Sequence, residues 1–339
     1  MRPSLFFTTS LTLSSHLRHG VRVRAASSLQ ATTTRQGDGT IIIAPDDDSR
    51  HSATVILCHG LGDTADGWTD PAQFLAKQLP HVKFILPTAP TQPVTLNMGM
   101  AMPSWYDIIG LDSRSNEVCN GLDESMDRIV GLMEEEAGRD TNDETSCKSS
   151  PVDYSRIVLA GFSQGGALAL YTGMTQHRNK QNQVGLGLAG IVVMSGYLPR
   201  SKQFAVAPGS ERTPILHCHG KEDSVVPVQA TELSRARVLE EMDGKDTYEV
   251  KTYPGLDHSV SMDELNDVAA FLKRVLPTIS DANISTEKVG NLADPAQMSV
   301  RQLKDAIRQA GLDEQAKGMF EKSELIDLLS KHLKETMQH

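Results

Sequence analysis

Cysteine is scarce in this sequence, and so is every pattern that would give cysteine structural work. Only Cys58, Cys119, Cys147 and Cys218 occur among 339 residues, and no two form a Cys-x-x-Cys pair. Cys58 and Cys218 sit in apolar, strand-like runs. Reduced, partly buried thiols in a reducing compartment are therefore expected, rather than a disulfide framework or a zinc site. Long apolar runs are missing too: no stretch reaches 18 residues, so no membrane-spanning helix is expected. Positive charge is in deficit, with 33 Lys and Arg against 43 Asp and Glu and a net charge of -10. Phosphate binding needs concentrated Lys and Arg, so a nucleic-acid partner is not expected. No Walker-type loop is present, and no nucleotide or other cofactor is indicated.

The N-terminal stretch stands apart by its charge. Met1 to Gly37 holds no Asp or Glu, but it holds Arg2, Arg18, Arg22, Arg24 and Arg35 and is dense in Ser and Thr. That is the composition of an organelle transit peptide. The apolar run Leu5-Phe6-Phe7 is broken by Thr8 and Thr9, which argues against a secretory signal. The alternative is an unstructured leader with no address. The expected location is accordingly cytoplasmic, or a mitochondrion or plastid if the leader is an address.

The length suits one large α/β domain with something small attached, since single cores stop growing at roughly 250–300 residues. The continuously apolar run at 54–58 reads as a strand buried on both faces, and 41–43, 82–86, 157–160, 191–194, 215–218 and 248–253 read as further strands. Helices are expected over Pro71–Leu79, Gly121–Glu136, a segment after Ser163, and Gln229–Met242. Ser261, with Glu264 three residues on, opens one more through a capping box. Strands alternating with helices imply an α/β fold, a mostly parallel central sheet covered by helices on both faces. This domain is expected over 40–277, with a polar surface loop from Arg139 to Pro151. A polar linker, 278–297, leads to a small helical module at 298–335. In that module Val300, Leu303, Ile307 and Ala310 share one helix face, and Leu325, Ile326, Leu328, Leu329 and Leu333 lie on another helix.

The chemistry centres on Gly161-Phe162-Ser163-Gln164-Gly165-Gly166. A serine hydroxyl is a poor nucleophile until a base takes its proton. Gly-x-Ser-x-Gly between a buried strand and a helix places the serine on a strained turn with room around it. The five-residue pattern alone also fits an ordinary tight turn; the strand and helix on either side favour a nucleophile. In this fold the order is serine, then acid, then histidine. Asp223 follows the strand ending at His219-Gly220, and His258 follows the strand ending at Tyr253. Glu222 is the rival acid, one residue away, and Asp257 reads as a loop residue. The oxyanion donors are expected to be the backbone N–H groups of Gln164 and of Leu61, in His59-Gly60-Leu61-Gly62. His59 reads as structural. His217 and His219 form a His-x-His pair that could bind metal, but with no further ligand clustered nearby they read as buried, hydrogen-bonded histidines, and no metal site is expected.

Five motifs resemble the acyl-protein thioesterase (lysophospholipase/carboxylesterase) family: His59-Gly60-Leu61-Gly62-Asp63-Thr64, Pro93-Val94-Thr95-Leu96-Asn97-Met98, Met102-Pro103-Ser104-Trp105-Tyr106-Asp107, Gly161-Phe162-Ser163-Gln164-Gly165-Gly166-Ala167-Leu168 and His219-Gly220-Lys221-Glu222-Asp223. The resemblance runs from about Thr54 to Pro277. It implies an α/β-hydrolase fold and hydrolysis of the thioester joining a palmitoyl chain to a protein cysteine. Ester and lysophospholipid hydrolysis are the alternative activities, and contact with a membrane surface accompanies either. It also implies Asp223 rather than Glu222 as the acid. The segment from Pro93 to Trp105 would border an acyl groove, making Leu96, Met98, Met100, Met102 and Trp105 its candidate lining. The C-terminal unit, with Leu303-Lys304-Asp305, Gly311-Leu312 and Lys322-Ser323-Glu324-Leu325, resembles a SAP-like helix–loop–helix module. Its mixed charge points to a protein contact through 298–335 rather than DNA. An interaction scaffold working through that module is the competing reading from another functional class.

Overall fold

The structure is a computed structural model that describes residues 31–47, 50–110, 117–138, 151–175, 187–278, 295, 303–304, 307, 312, 315–316 and 321–336. In chain order the elements are β1 (Thr32–Arg35), β2 (Ile41–Ala44), β3 (Ala53–Cys58), α1 (Thr69–Gln78), β4 (Val82–Leu86), β5 (Thr91–Val94), β6 (Met100–Pro103), α2 (Leu122–Glu136), β7 (Ile157–Phe162), α3 (Gln164–Thr175), β8 (Gly190–Met194), β9 (Ile215–Gly220), α4 (Gln229–Leu239), β10 (Tyr248–Tyr253), α5 (Met262–Val275) and, near the C-terminus, α6 (Lys322–Thr336). The main sheet runs β1-β2-β4-β3-β7-β8-β9-β10. Every pairing from β4 to β10 is parallel, and only β1 and β2 are antiparallel to their neighbours.

The burial of β3 and β7 explains why these strands are apolar on both faces. Side chains alternate across the sheet. Ile56, Ile157, Leu159, Ile191 and Val193 point into a core shared with α2 and α3, while Val55, Leu57, Val158, Ala160 and Val192 point into a second core shared with α1 and α5. Each face is closed by helices, so a polar side chain on these strands needs a buried partner. From β3 the sheet grows in one direction to β4 and in the other to β7. The crevice at the carboxyl ends of β3 and β7 is thus a topological switch point, where ligands bind in open α/β sheets.

The sheet starts earlier than composition suggests. Thr32–Arg35, assigned to the leader by its lack of acids, pairs antiparallel with β2 as the edge strand. All four of its residues are exposed, so no apolar alternation marks it. The hairpin β5–β6 also has no sequence signal: three of its first four residues, Thr91-Gln92-Pro93, are polar or proline. Helix α4 stops at Leu239 rather than Met242. The loop expected at 139–151 and most of the linker lie outside the described residues, as do Cys147 and most of the first C-terminal helix. Leu303, Ile307, Leu312, Leu325 and Leu329 are buried together in a cluster of their own.

Helix α5 begins as the capping box requires, with Ser261 Oγ accepting from Glu264 N–H at 3.1 Å. The carboxylate of Glu264 is the exception. It is fully buried, and no hydrogen bond of good geometry reaches either oxygen. Burial pushes its pKa from 4.5 to about 7, opposed by the Ser261 backbone and reinforced by Asp267. Because the folded state holds this proton more tightly than the unfolded chain, stability falls as pH rises from 4.5 to about 7 and is flat above. Glu264→Gln should remove that slope and stabilise the protein at pH 8 by on the order of 3 kcal/mol. Urea unfolding at pH 5 and pH 8 measures it; equal gains at both pH values would contradict this account.

Candidate active site

Ser163 sits between β7 and α3 with φ of 52°, the left-handed region that a non-glycine residue rarely enters. Two backbone bonds hold it there: its N–H donates to Met194 O at 2.8 Å and its carbonyl accepts from Ala167 N–H at 2.9 Å. The glycines on either side are required by contact. A Cβ on Gly161 would lie 2.3 Å from the Gly165 carbonyl, and one on Gly165 would lie 2.2 Å from Cys58 O. The turn is therefore pressed against the end of β3, and the serine side chain projects at the switch point.

His258 arrives on the loop between β10 and α5. Its Nε2 lies 3.0 Å from Ser163 Oγ, and its Nδ1 lies 2.7 Å from Asp223 Oδ2. Asp223 stands on the turn after β9. Its side chain is shielded from solvent, and Oδ1 accepts from the N–H groups of Val225 and Val226 at 2.9 and 2.8 Å. These bonds fix the carboxylate as an acceptor, so His258 carries its proton on Nδ1 and offers the Nε2 lone pair to Ser163. The phenyl ring of Phe162 packs 4.9 Å from the His258 ring and limits its rotation. Two backbone bonds join the turns after β9 and β10, Lys221 N–H to Tyr253 O at 3.0 Å and Glu222 N–H to Leu256 O at 3.1 Å.

The rival acids lie elsewhere. Glu222 Oε2 accepts from Gly255 N–H at 2.6 Å, and Asp257 Oδ1 accepts from Ser259 Oγ at 2.5 Å. Both are local loop contacts. The backbone N–H groups of Leu61 and Gln164 make no hydrogen bond among the described residues. His59 accounts for part of that arrangement. Its Nε2 accepts from Ala89 N–H at 2.9 Å, so its Nδ1–H donates to Gly60 O at 2.7 Å. That carbonyl belongs to the same rigid peptide unit as the Leu61 N–H, whose direction is thereby set. Burial lowers the pKa of His59, which keeps the ring neutral in this role.

A cavity of about 360 Å³ opens beside Ser163 and His258, walled chiefly by Leu61, Leu96, Ile108, Phe162, Tyr197, Val225 and Val226. Of the five groove candidates, Leu96 alone lines it. Trp105 is fully buried, with its Nε1–H on His59 O at 2.8 Å, and belongs to the core below. Met98 and Met100 are exposed on the β5–β6 hairpin, and the Met102 sulfur accepts from Asn97 Nδ2. Sequence reasoning missed Ile108, Tyr197, Val225 and Val226, which come from three separate loops with no shared motif. It also missed the Gln164 side chain. That amide accepts from Trp105 N–H at 3.0 Å and donates to Tyr106 O at 2.7 Å, tying the serine turn to the segment after β6.

His217 and His219 are fully buried on β9, their rings tilted at 5.8 Å, and each is hydrogen-bonded. Burial holds both below the ordinary histidine pKa, His217 at about 3.

Residues 39–276 match the family described as phospholipase/carboxylesterase. Acyl-protein thioesterase 1 of Mycosarcoma maydis is 39% identical over 245 residues, covering 70% of this chain and 97% of that one. Acyl-protein thioesterase 1 of Neurospora crassa is 40% identical over 242 residues, covering 69% and 91%. Among solved structures, acyl-protein thioesterase 2 of Zea mays aligns with a TM-score of 0.54 and 27% identity, over 70% of this chain and 98% of that one.

Proposed function

This chain belongs to the phospholipase/carboxylesterase family, and from that membership we propose that it removes long-chain acyl groups from protein cysteines, with Ser163, His258 and Asp223 as its catalytic triad. The observation that carries the reading is the contact of Ser163 Oγ with His258 Nε2 at 3.0 Å on the wall of an apolar cavity. Ser163 Oγ attacks the thioester carbonyl carbon while His258 Nε2 takes the hydroxyl proton. Asp223 stabilises the imidazolium that forms. The Leu61 and Gln164 N–H groups receive the oxyanion. Collapse expels the cysteine thiolate, which takes the proton from His258. Water, activated by the same base, then releases the fatty acid.

The apolar walls suit an alkyl chain, and the likeness to acyl-protein thioesterases supplies the thioester. The β5–β6 hairpin suits contact with a membrane surface, where acylated proteins reside. Leu96, Met98 and Met100 are 42%, 95% and 61% exposed, beside the cavity that Leu96 helps to line. Exposed apolar side chains at a site mouth favour an interface over bulk water. The unit at 298–335 we read as a protein contact.

Competition among an S-palmitoyl peptide, lysophosphatidylcholine and a short p-nitrophenyl ester tests the substrate. The thioester is expected to be cleaved with the highest kcat/KM. Efficient cleavage of the lysolipid or short ester with the peptide left intact would replace thioesterase by carboxylesterase or lysophospholipase.

A further inference from the structure

Behind the acid lies a series of buried polar side chains that take no part in the proton transfers from Ser163. Tyr248 OH lies 2.8 Å from His217 Nδ1, and His217 Nε2 lies 3.4 Å from Thr231 Oγ1. Thr231 Oγ1 lies 2.8 Å from His219 Nδ1. His219 Nε2 lies 2.7 Å from Val226 O and 3.3 Å from Asp223 Oδ2. The series crosses from β10 through β9 and α4 to the turn that carries the acid, and Thr231, His217 and His219 have no solvent exposure.

Its far end fixes the direction of every bond. The Val226 carbonyl can only accept, so His219 Nε2 carries a proton and Nδ1 does not. Thr231 must then donate its hydroxyl proton to His219 Nδ1. The Thr231 oxygen is left to accept from His217 Nε2–H, and His217 Nδ1 accepts from Tyr248. All donors point toward Asp223, and such chains polarise one another in a low-dielectric interior. Burial, the largest influence on both rings, keeps them neutral. The titratable groups facing His219 are His217, Asp223 and His258, with Tyr248 behind His217.

We propose that this series positions the catalytic acid, with His219 as the member that acts on it, holding the Val226 carbonyl and presenting its N–H edge to Asp223 Oδ2. Val225 and Val226 grip Oδ1, His258 Nδ1–H donates to Oδ2, and His219 Nε2, bonded to the Val226 carbonyl, stands 3.3 Å from that same oxygen. His219 thus sets the orientation of the carboxylate and tempers its charge, and with it the basicity of His258. It is a positioning residue and touches no substrate. The inference rests on the triad reading above.

The test is steady-state turnover of a p-nitrophenyl ester across pH, with active sites counted by fluorophosphonate titration so that unfolded protein does not enter kcat. His219→Phe keeps the volume and removes both nitrogens. It should lower kcat about tenfold or more with KM within about twofold, and the acidic limb of kcat/KM should move to higher pH, because an untempered carboxylate holds the proton on His258 more tightly. His219→Gln, whose amide N–H can reach Val226 O, should recover most of the rate and return the limb toward the wild-type position. Thr231→Val, which leaves His219 in place without its orienting donor, should fall between them. Unchanged kcat per active site and an unmoved acidic limb in His219→Phe would overturn the proposal. If that variant does not fold, the same result in Thr231→Val overturns it. Failure of the wild type to label at Ser163 would instead remove the hydrolase reading itself.

Discussion

Ser163→Ala should lose all labelling by a fluorophosphonate probe and lower kcat by on the order of 10⁶-fold. The size of the effect follows from what the side chain does. Among the described residues Ser163 Oγ hydrogen-bonds to His258 Nε2 alone, at 3.0 Å, and the backbone bonds that hold the turn come from its N–H and carbonyl. Alanine removes the nucleophile and leaves the turn intact. The strain of φ at 52° is common to serine and alanine, so the unfolding free energy should stay within about 1 kcal/mol. A folded, inert variant separates chemistry from stability. Residual turnover of about 10³–10⁴ over the uncatalysed rate is expected from the oxyanion donors and substrate binding alone. Labelling that survives the substitution would show that another residue is the nucleophile.

Local patterns make part of this legible in the sequence. The buried strands β3, β7 and β8 announce themselves because parallel strands closed on both faces are mostly apolar. The candidate serine, aspartate and histidine each follow a strand of the main sheet, β7, β9 and β10, at the end where the backbone leaves it. What sequence hides is set by contacts between loops. Leu96, Ile108, Tyr197 and Val225 meet around one cavity, yet nothing local marks them as neighbours. The segment from Pro93 to Trp105 misleads for a related reason: its apolar residues divide among cavity wall, exposed hairpin and core. Trp105 goes to the core because its indole N–H finds the His59 carbonyl there. The edge strand β1 escapes because an exposed polar strand has no period to detect. The His217–His219 pair shows the converse. Its spacing predicts one face of a strand, and the face proves to be the one packed on α4, which supplies Thr231.

Asp223→Asn should lower kcat by on the order of 10⁴-fold, while Glu222→Gln stays within about threefold of wild type. The two acids are neighbours in sequence with opposite surroundings. Asp223 receives backbone N–H groups of Val225 and Val226 on Oδ1 and the His258 Nδ1–H on Oδ2. Both oxygens are therefore needed as acceptors, and an amide offers one. If the asparagine NH₂ turns toward His258, it meets an N–H. The ring must then place its proton on Nε2, where it can no longer accept from Ser163. If the NH₂ turns the other way, it faces two backbone N–H groups in a buried turn and strains the position of the acid. Either orientation costs catalysis. Glu222 Oε2 accepts a single N–H, from Gly255 at 2.6 Å, at an exposed position, and the glutamine oxygen can accept it equally well. Single-turnover acylation by a p-nitrophenyl ester reads the difference directly, since the proton transfer to His258 occurs in that step. Equal losses in the two variants would mean that the loop joining Glu222 to Gly255, rather than the carboxylate on His258, limits the rate.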